Sequence, residues 1–160
     1  MLHILRADYS LPAHAEALIE RLDHDARDPA GGGAPLSDYV RTHLVSELVA
    51  RPFMFSVLAF DADQPVGLIN AIEGFSTFAC KPLINIHDVI VSNSHRGQGV
   101  AKAMFAEIEA IARARGACKL TLEVLHGNTG ARKLYETLGF DDYRLAPALG
   151  EARFMQKWLD

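Results

Sequence analysis

The stretch that most constrains this chain runs from Leu83 to Leu125. An Ile- and Val-rich segment, Leu83–Ser92, meets a polar turn, Asn93-Ser94-His95-Arg96-Gly97-Gln98-Gly99, and then a strongly apolar-periodic segment from Val100 to about Arg115. That segment carries Ala101, Met104, Phe105, Ile108, Ile111 and Ala112 on one side, which is helical spacing, and Gly116 is its natural stop. The alternating run Cys118–Leu125 comes next. A strand, a helix and a second strand of these lengths predict a parallel pair joined by a right-handed crossover.

The flanking segments decide what surrounds this pair. Leu2–Ala7 reads as a short strand, and Pro12–Ala26 as a helix with Ala15, Leu18, Ile19 and Leu22 on its inner face. The segment Asp28-Pro29-Ala30-Gly31-Gly32-Gly33-Ala34-Pro35 breaks the pattern and reads as a tip or a lid. Ser37 and Asp38 open a second helix that Pro52 closes. Phe53–Phe60 and Pro65–Phe75 form a hairpin about Asp61-Ala62-Asp63-Gln64. After the crossover, Thr129–Leu138 is a helix capped by Gly139, and Phe140–Leu145 with Ala152–Leu159 predicts a last hairpin. The expected fold is α/β (α+β), with a mixed central sheet in a single domain over 1–160.

Composition narrows the function classes. A net charge of −4 without a long basic run argues against a nucleic-acid surface, and no stretch approaches the 18 apolar residues of a membrane span. The N-terminus has no apolar h-region, so no signal peptide is expected and the default location is the cytoplasm. Cys80 and Cys118 are too few for a metal cluster or a disulfide framework, and no metal is expected. Cys118, within an apolar run, reads as a small buried hydrophobe.

The turn Arg96–Ala101 joins a buried strand to a helix start, where unpaired N–H groups and the helix dipole suit a phosphate. Gly97 and Gly99 let the backbone approach closely, and Arg96 and Lys102 add positive charge. A plain glycine-rich connector is the competing reading. Gly97-Gln98-Gly99-Val100-Ala101-Lys102 lacks the third glycine of the dinucleotide fingerprint, and no Walker-type loop occurs. The run Arg96-Gly97-Gln98-Gly99-Val100-Ala101 does fit the R/Q-x-x-G-x-G/A motif. Downstream, Asn128-Thr129-Gly130-Ala131-Arg132-Lys133-Leu134-Tyr135-Glu136-Thr137-Leu138-Gly139-Phe140 fits N-x-x-A-x-x-L-Y-E-x-x-G-F. In both motifs, in their separation and in its element order, the chain resembles the GNAT N-acetyltransferases.

The resemblance implies acetyl-CoA as donor, a sheet splayed between its two central parallel strands, and helices on both faces. It implies that backbone groups of Val89, Ile90 and Val91 pair with the pantetheine as a strand would. The amides of Arg96, Gly97, Gln98, Gly99, Val100 and Ala101, with Lys102 nearby, would take the pyrophosphate. Asn128 and Ala131 belong to the same cofactor segment, and Tyr135 would stand by the sulfur as the acid that protonates the leaving thiolate. A backbone N–H at or next to Val89 would meet the acyl oxygen.

The base is open among His87, Asp88, Glu73 and a water. His87-Asp88 interrupts an apolar strand, and burying polar groups there needs a reason. Alternation puts the two on opposite faces unless a bulge intervenes. Some polyamine-type members carry Glu-Asp at this place, and Phe75-Ser76-Thr77-Phe78 and Lys81-Pro82 are similar to that branch; His87 departs from it, though an imidazole is a competent base. Tyr39, Phe53, Phe75 and Phe78 are candidates to wall the acceptor site, and Lys81 and Arg51 would suit an anionic acceptor. The resulting expectation is direct acetylation of a primary amine on a small molecule. A non-catalytic acyl-CoA sensor, or an enzyme acting on protein N-termini or lysines, is the alternative. The edge strand Ala152–Leu159 would permit a homodimer.

Overall fold

The computed structural model describes residues 1–159, the side chain of Ala30 excepted. The chain forms two compact units, Met1–Leu122 and Glu123–Asp160. The first holds β1 (Leu2–Arg6), α1 (Pro12–Arg27), α2 (Asp38–Val49), β2 (Met54–Asp61), β3 (Gln64–Ser76), β4 (Lys81–Val91), α3 (Val100–Ala114) and β5 (Leu120–Leu122). The second holds α4 (Thr129–Thr137).

The five strands lie in sequence order, antiparallel from β1 to β4 and parallel between β4 and β5. This is the mixed α/β sheet expected from the strand–helix–strand pattern. Strand alternation sorts the core onto two faces. Leu58, Leu68 and Ile90 pack with Ala17 and Leu18 of α1 and Leu48 of α2. Residues of the opposite parity face α3: a Cβ built on Gly67 would lie 2.9 Å from the Met104 sulfur and 3.1 Å from Ala59 Cβ. Helices therefore cover both faces.

Local chemistry sets the helix ends. Pro12 opens α1, where its missing N–H costs nothing. Ser37 caps α2 by accepting the Val40 N–H at 3.3 Å. The segment between them is stitched to the end of α1: the amides of Gly31 and Gly33 donate to the Asp28 carbonyl, and the Ala34 N–H reaches the Ala26 carbonyl. Gly31 is required by this close approach, since a Cβ there would sit 2.0 Å from the Asp25 carbonyl oxygen.

Three expectations are corrected. Regular pairing within Cys118–Leu125 is confined to Leu120–Leu122, because the parallel register with β4 ends at Ile86↔Leu122. Cys118 is exposed rather than buried; it lies outside that paired stretch, its N–H donating to the Pro82 carbonyl at 2.8 Å. The last hairpin does not form strands. In the unit from Glu123 onward, Pro147–Leu149 winds into a 3-10 turn, Gly150 has φ 74°, and one ladder-like bond, Ala152 N–H to the Tyr143 carbonyl, joins the two segments. Ala152–Leu159 is thus no edge strand, and that argument for a dimer falls away.

Leu58 is completely buried between α1 and the sheet, whereas Val49 at the end of α2 is 61% exposed. Leu58→Ala is expected to cost about 2–5 kcal/mol in urea unfolding, and Val49→Ala under ~0.5 kcal/mol.

Candidate active site

β4 is paired along its whole length on only one edge. Towards β3 the register runs from Ser76↔Lys81 to Gly67↔Val91. Towards β5 it covers Ile84, Asn85 and Ile86, where Asn85 Nδ2 donates to Thr121 Oγ1 at 3.0 Å. From His87 to Val91 the outer edge has no strand partner among the described residues. The Ser92 N–H donates to the Val66 carbonyl on the β3 side. Backbone groups alternate in direction along a strand, so those of Val91 and Val89 point to the open edge. Arg96 Nε reaches the Val91 carbonyl at 3.4 Å, a long contact that leaves this edge accessible.

The bulge needed to reconcile His87 with Asp88 is present. Asn70 pairs with Asp88 and Ala71 with Ile86, which makes His87 the extra residue. His87 is exposed at the bulge, while Asp88 is half-buried on the α1 side and accepts from Asn70 Nδ2 at 2.9 Å. Glu73 has a different environment. Its carboxylate binds Arg115 Nη1 at 2.7 Å, and that guanidinium lies 4.4 Å above the Phe55 ring.

Beyond β4, Asn93–His95 makes one 3-10 turn, and Arg96 to Gly99 lead into α3. Gly97 and Gly99 have φ 74° and 82°. Gly99 is the N-cap of α3 in the left-handed region, where a side chain would be strained. No side chain caps the first turn of α3, and Arg96, Gly97, Gln98, Gly99 and Lys102 are all exposed above buried Val100. Gln98 Nε2 braces the loop by donating to the Ser94 carbonyl at 2.8 Å. The Arg96 N–H donates to the Asn93 carbonyl at 3.4 Å, and the amides that follow it into the helix start stand beside two cations, which suits an anionic ligand.

In the second unit, Asn128 caps α4 by accepting the Ala131 N–H at 3.3 Å. Tyr135 lies edge-on to Phe140, with ring centroids 6.0 Å apart. Burial pushes the Tyr135 phenol above its ordinary range, so at neutral pH it keeps its proton and can donate it.

Tyr39, Phe53, Phe75 and Phe78 are exposed on the first unit instead of filling its core. Arg51 is engaged by Glu47 of α2. The residues that sequence reasoning missed are Ser56 and Asn70, single polar residues inside the apolar strands Met54-Phe55-Ser56-Val57-Leu58 and Val66-Gly67-Leu68-Ile69-Asn70. Their signal was the one that singled out His87 and Asp88, a polar group where burial penalises it. Among the described residues no His/Cys/Asp/Glu group suits a metal ion, and no helix is long and apolar enough to cross a membrane.

A parallel rung that ends at Ile86↔Leu122, followed along β4 by a glycine loop and a helix start, defines the class as a mixed α/β fold with an open strand edge beside an anion-suited loop. The chain belongs to the Acetyltransferase (GNAT) family, whose profile matches residues 6–140. It is 30% identical over 114 residues to the mouse protein called probable N-acetyltransferase family 8 member 5, covering 68% of this chain and 50% of that one. It is 33% identical over 87 residues to the streptothricin acetyltransferase of Streptomyces lavendulae, covering 50% and 46%. The chain spans about half the length of the curated relatives it matches. A crystal structure of a probable acetyltransferase superposes with a TM-score of 0.82 over 99% of both chains at 19% identity, a likeness of fold.

One titratable group bordering this site yields a stability test. Burial first, then the charges of Asp88 and Asp28, raise the Asp25 carboxyl above the usual carboxylate range, against a lowering by Arg96 and His24. A carboxyl raised in the folded state binds its proton more tightly there than in the unfolded chain. Stability therefore falls as pH rises through the interval between the two pKa values, and the penalty is complete above it. Asp25→Asn is expected to raise the thermal midpoint at pH 7 and to leave it unchanged at pH 3. A midpoint lowered at pH 7 would contradict this assignment.

Proposed function

We propose that this chain transfers an acetyl group from acetyl-CoA directly to the primary amine of a small molecule, as one acetyltransferase domain that includes both units. The observation that carries the reading is the open edge of β4, His87–Val91, running straight into the exposed, uncapped loop Arg96–Gly99. An extended arm ending in a pyrophosphate needs those two features in that order. The open amides and the adjacent Arg96 and Lys102 fit such a group, so they are the residues that would hold it. The family match across residues 6–140, which spans both units, supports including α4.

When bound, acetyl-CoA supplies the activated thioester acetyl group. The first unit's contributions are read from β4 and its loop, and those of Asn128, Ala131 and Tyr135 from the family pattern. Val89 and Val91 offer backbone groups to the pantetheine and acyl oxygen, and Asn128 and Ala131 supply the remaining cofactor contacts in the family pattern. His87, exposed at the bulge, takes the proton from the acceptor amine. Asp88, fixed beside it, receives the positive charge of the incoming ammonium. Glu73 is set aside as base because Arg115 occupies its carboxylate. Tyr135, kept protonated by burial, returns a proton to the sulfur. The streptothricin-named relative supports a small-molecule acceptor over a protein one.

The test is thiol release from acetyl-CoA across a panel of polyamines, amino acids, aminoglycosides and peptides. Turnover is expected with at least one small amine, and Tyr135→Phe is expected to bind CoA normally while kcat falls about 100-fold or more. Unchanged kcat in that variant would remove Tyr135 as the acid. CoA binding without turnover on any amine would favour a sensor.

A further inference from the structure

A line of side chains, buried at Ser56 and Asn70 and half-buried at Tyr9 and Asp88, crosses the sheet on the α1 side. The Tyr9 hydroxyl lies 2.8 Å from Ser56 Oγ, Ser56 Oγ donates to Asn70 Oδ1 at 2.6 Å, and Asn70 Nδ2 donates to Asp88 Oδ2 at 2.9 Å. The register sets these residues side by side, Ser56 opposite Asn70 and Asn70 opposite Asp88. Ser56 is 0% and Asn70 5% exposed, so water does not compete for the bond between them.

Valence fixes the direction of the line. Asn70 Oδ1 can only accept, so the single Ser56 proton is spent there. Ser56 Oγ must then accept from Tyr9, whose phenol burial keeps protonated. Every proton points the same way, towards the Asp88 carboxylate. An amide does not pass protons on readily, so the line is not a proton wire. Its consequence is orientation: Oδ2 of Asp88 is held by Asn70, and Asn70 cannot flip without breaking its bond to Ser56.

We propose that Tyr9, Ser56 and Asn70 are positioning residues that fix Asp88 through Oδ2 and present Oδ1 to the ammonium of the acceptor. This rests on the reading above, in which the acceptor amine meets β4 at the bulge. The bonds are made by the chain's own groups, so the acceptor meets a carboxylate whose rotamer the sheet sets. A cationic amine is the class of group such a carboxylate selects. A merely structural line would stabilise the strand register and leave acceptor kinetics alone.

The experiment is a double-mutant cycle on the full chain, using the amine found active in the panel. Asn70→Leu keeps the branched shape and removes both hydrogen bonds; it is expected to lower kcat/KM for the amine about 10- to 100-fold while KM for acetyl-CoA stays within about twofold. In an Asp88→Asn background the same substitution is expected to cost nothing further, because the residue it acts through is gone. Additive losses would overturn the proposal. Tyr9→Phe, which removes only the terminal hydroxyl, serves if Asn70→Leu folds poorly, and its expected loss is about two- to tenfold.

A second readout does not depend on turnover. The Asn70 side-chain amide resonances should be slow to exchange and should move in both Tyr9→Phe and Asp88→Asn. Resonances indifferent to both would overturn the line itself. Absence of turnover with every amine would instead count against the functional reading, and the amide resonances would still judge the line.

Discussion

The proposed site in the first unit depends on one event in the sheet, the end of β4–β5 pairing at the Ile86–Leu122 rung. Had the parallel pairing continued, the outward amides and carbonyls of Val89 and Val91 would be spent inside the sheet. Because it stops, β4 keeps one edge paired and offers the other. An unpaired strand edge is ordinarily an aggregation hazard. Here it is short, begins at a bulge bearing an exposed histidine, and ends at a charged turn. The crossover helix α3 lies beyond the far end, its first turn beginning at Val100 after the loop of residues 92–99.

The parts of the fold set by local periodicity could be read from the sequence. The β4–turn–α3 segment, the hairpin of β2 and β3 and the cap at Ser37 all rest on interactions within a few residues. The short β5 could not be read this way. Its composition alternates well past Leu122, whereas the register with β4 ends there. The final two segments failed for a related reason: Phe140–Leu145 and Ala152–Leu159 have strand composition, but a strand exists only where a partner continues the ladder. Cys118 was misplaced because an apolar neighbourhood in sequence does not ensure a covered one in space.

The site divides along the same line. The glycine loop announces itself because Gly99 at φ 82° and an open helix start are backbone requirements, which restrict residue type directly. The bulge at His87 was foreseeable as a condition, since two adjacent polar residues on one strand cannot otherwise share a side. The engagement of Glu73 by Arg115 was not, because the two are 42 positions apart and meet only through tertiary packing. Tyr9 was equally hidden. Its hydroxyl reaches a serine 47 positions away.

The polar line through Ser56 and Asn70 also bears on why this sheet has one register. Burying an amide and a hydroxyl in apolar strands is unfavourable unless every polar atom finds its complement. A slip of β3 by one residue against either neighbour would turn Asn70 to the α3 face, where Met104 and Phe105 lie, and would strand Ser56 and Asp88 without their bonds. The same atoms that orient Asp88 therefore penalise the alternative pairings, and they do so at the strand where the bulge could most easily migrate. A bulge is held in place only if its two sides are distinguishable. Here one side is marked by the Asn70–Asp88 bond and the other by the Ile86–Leu122 rung, which leaves His87 as the one residue able to be extra.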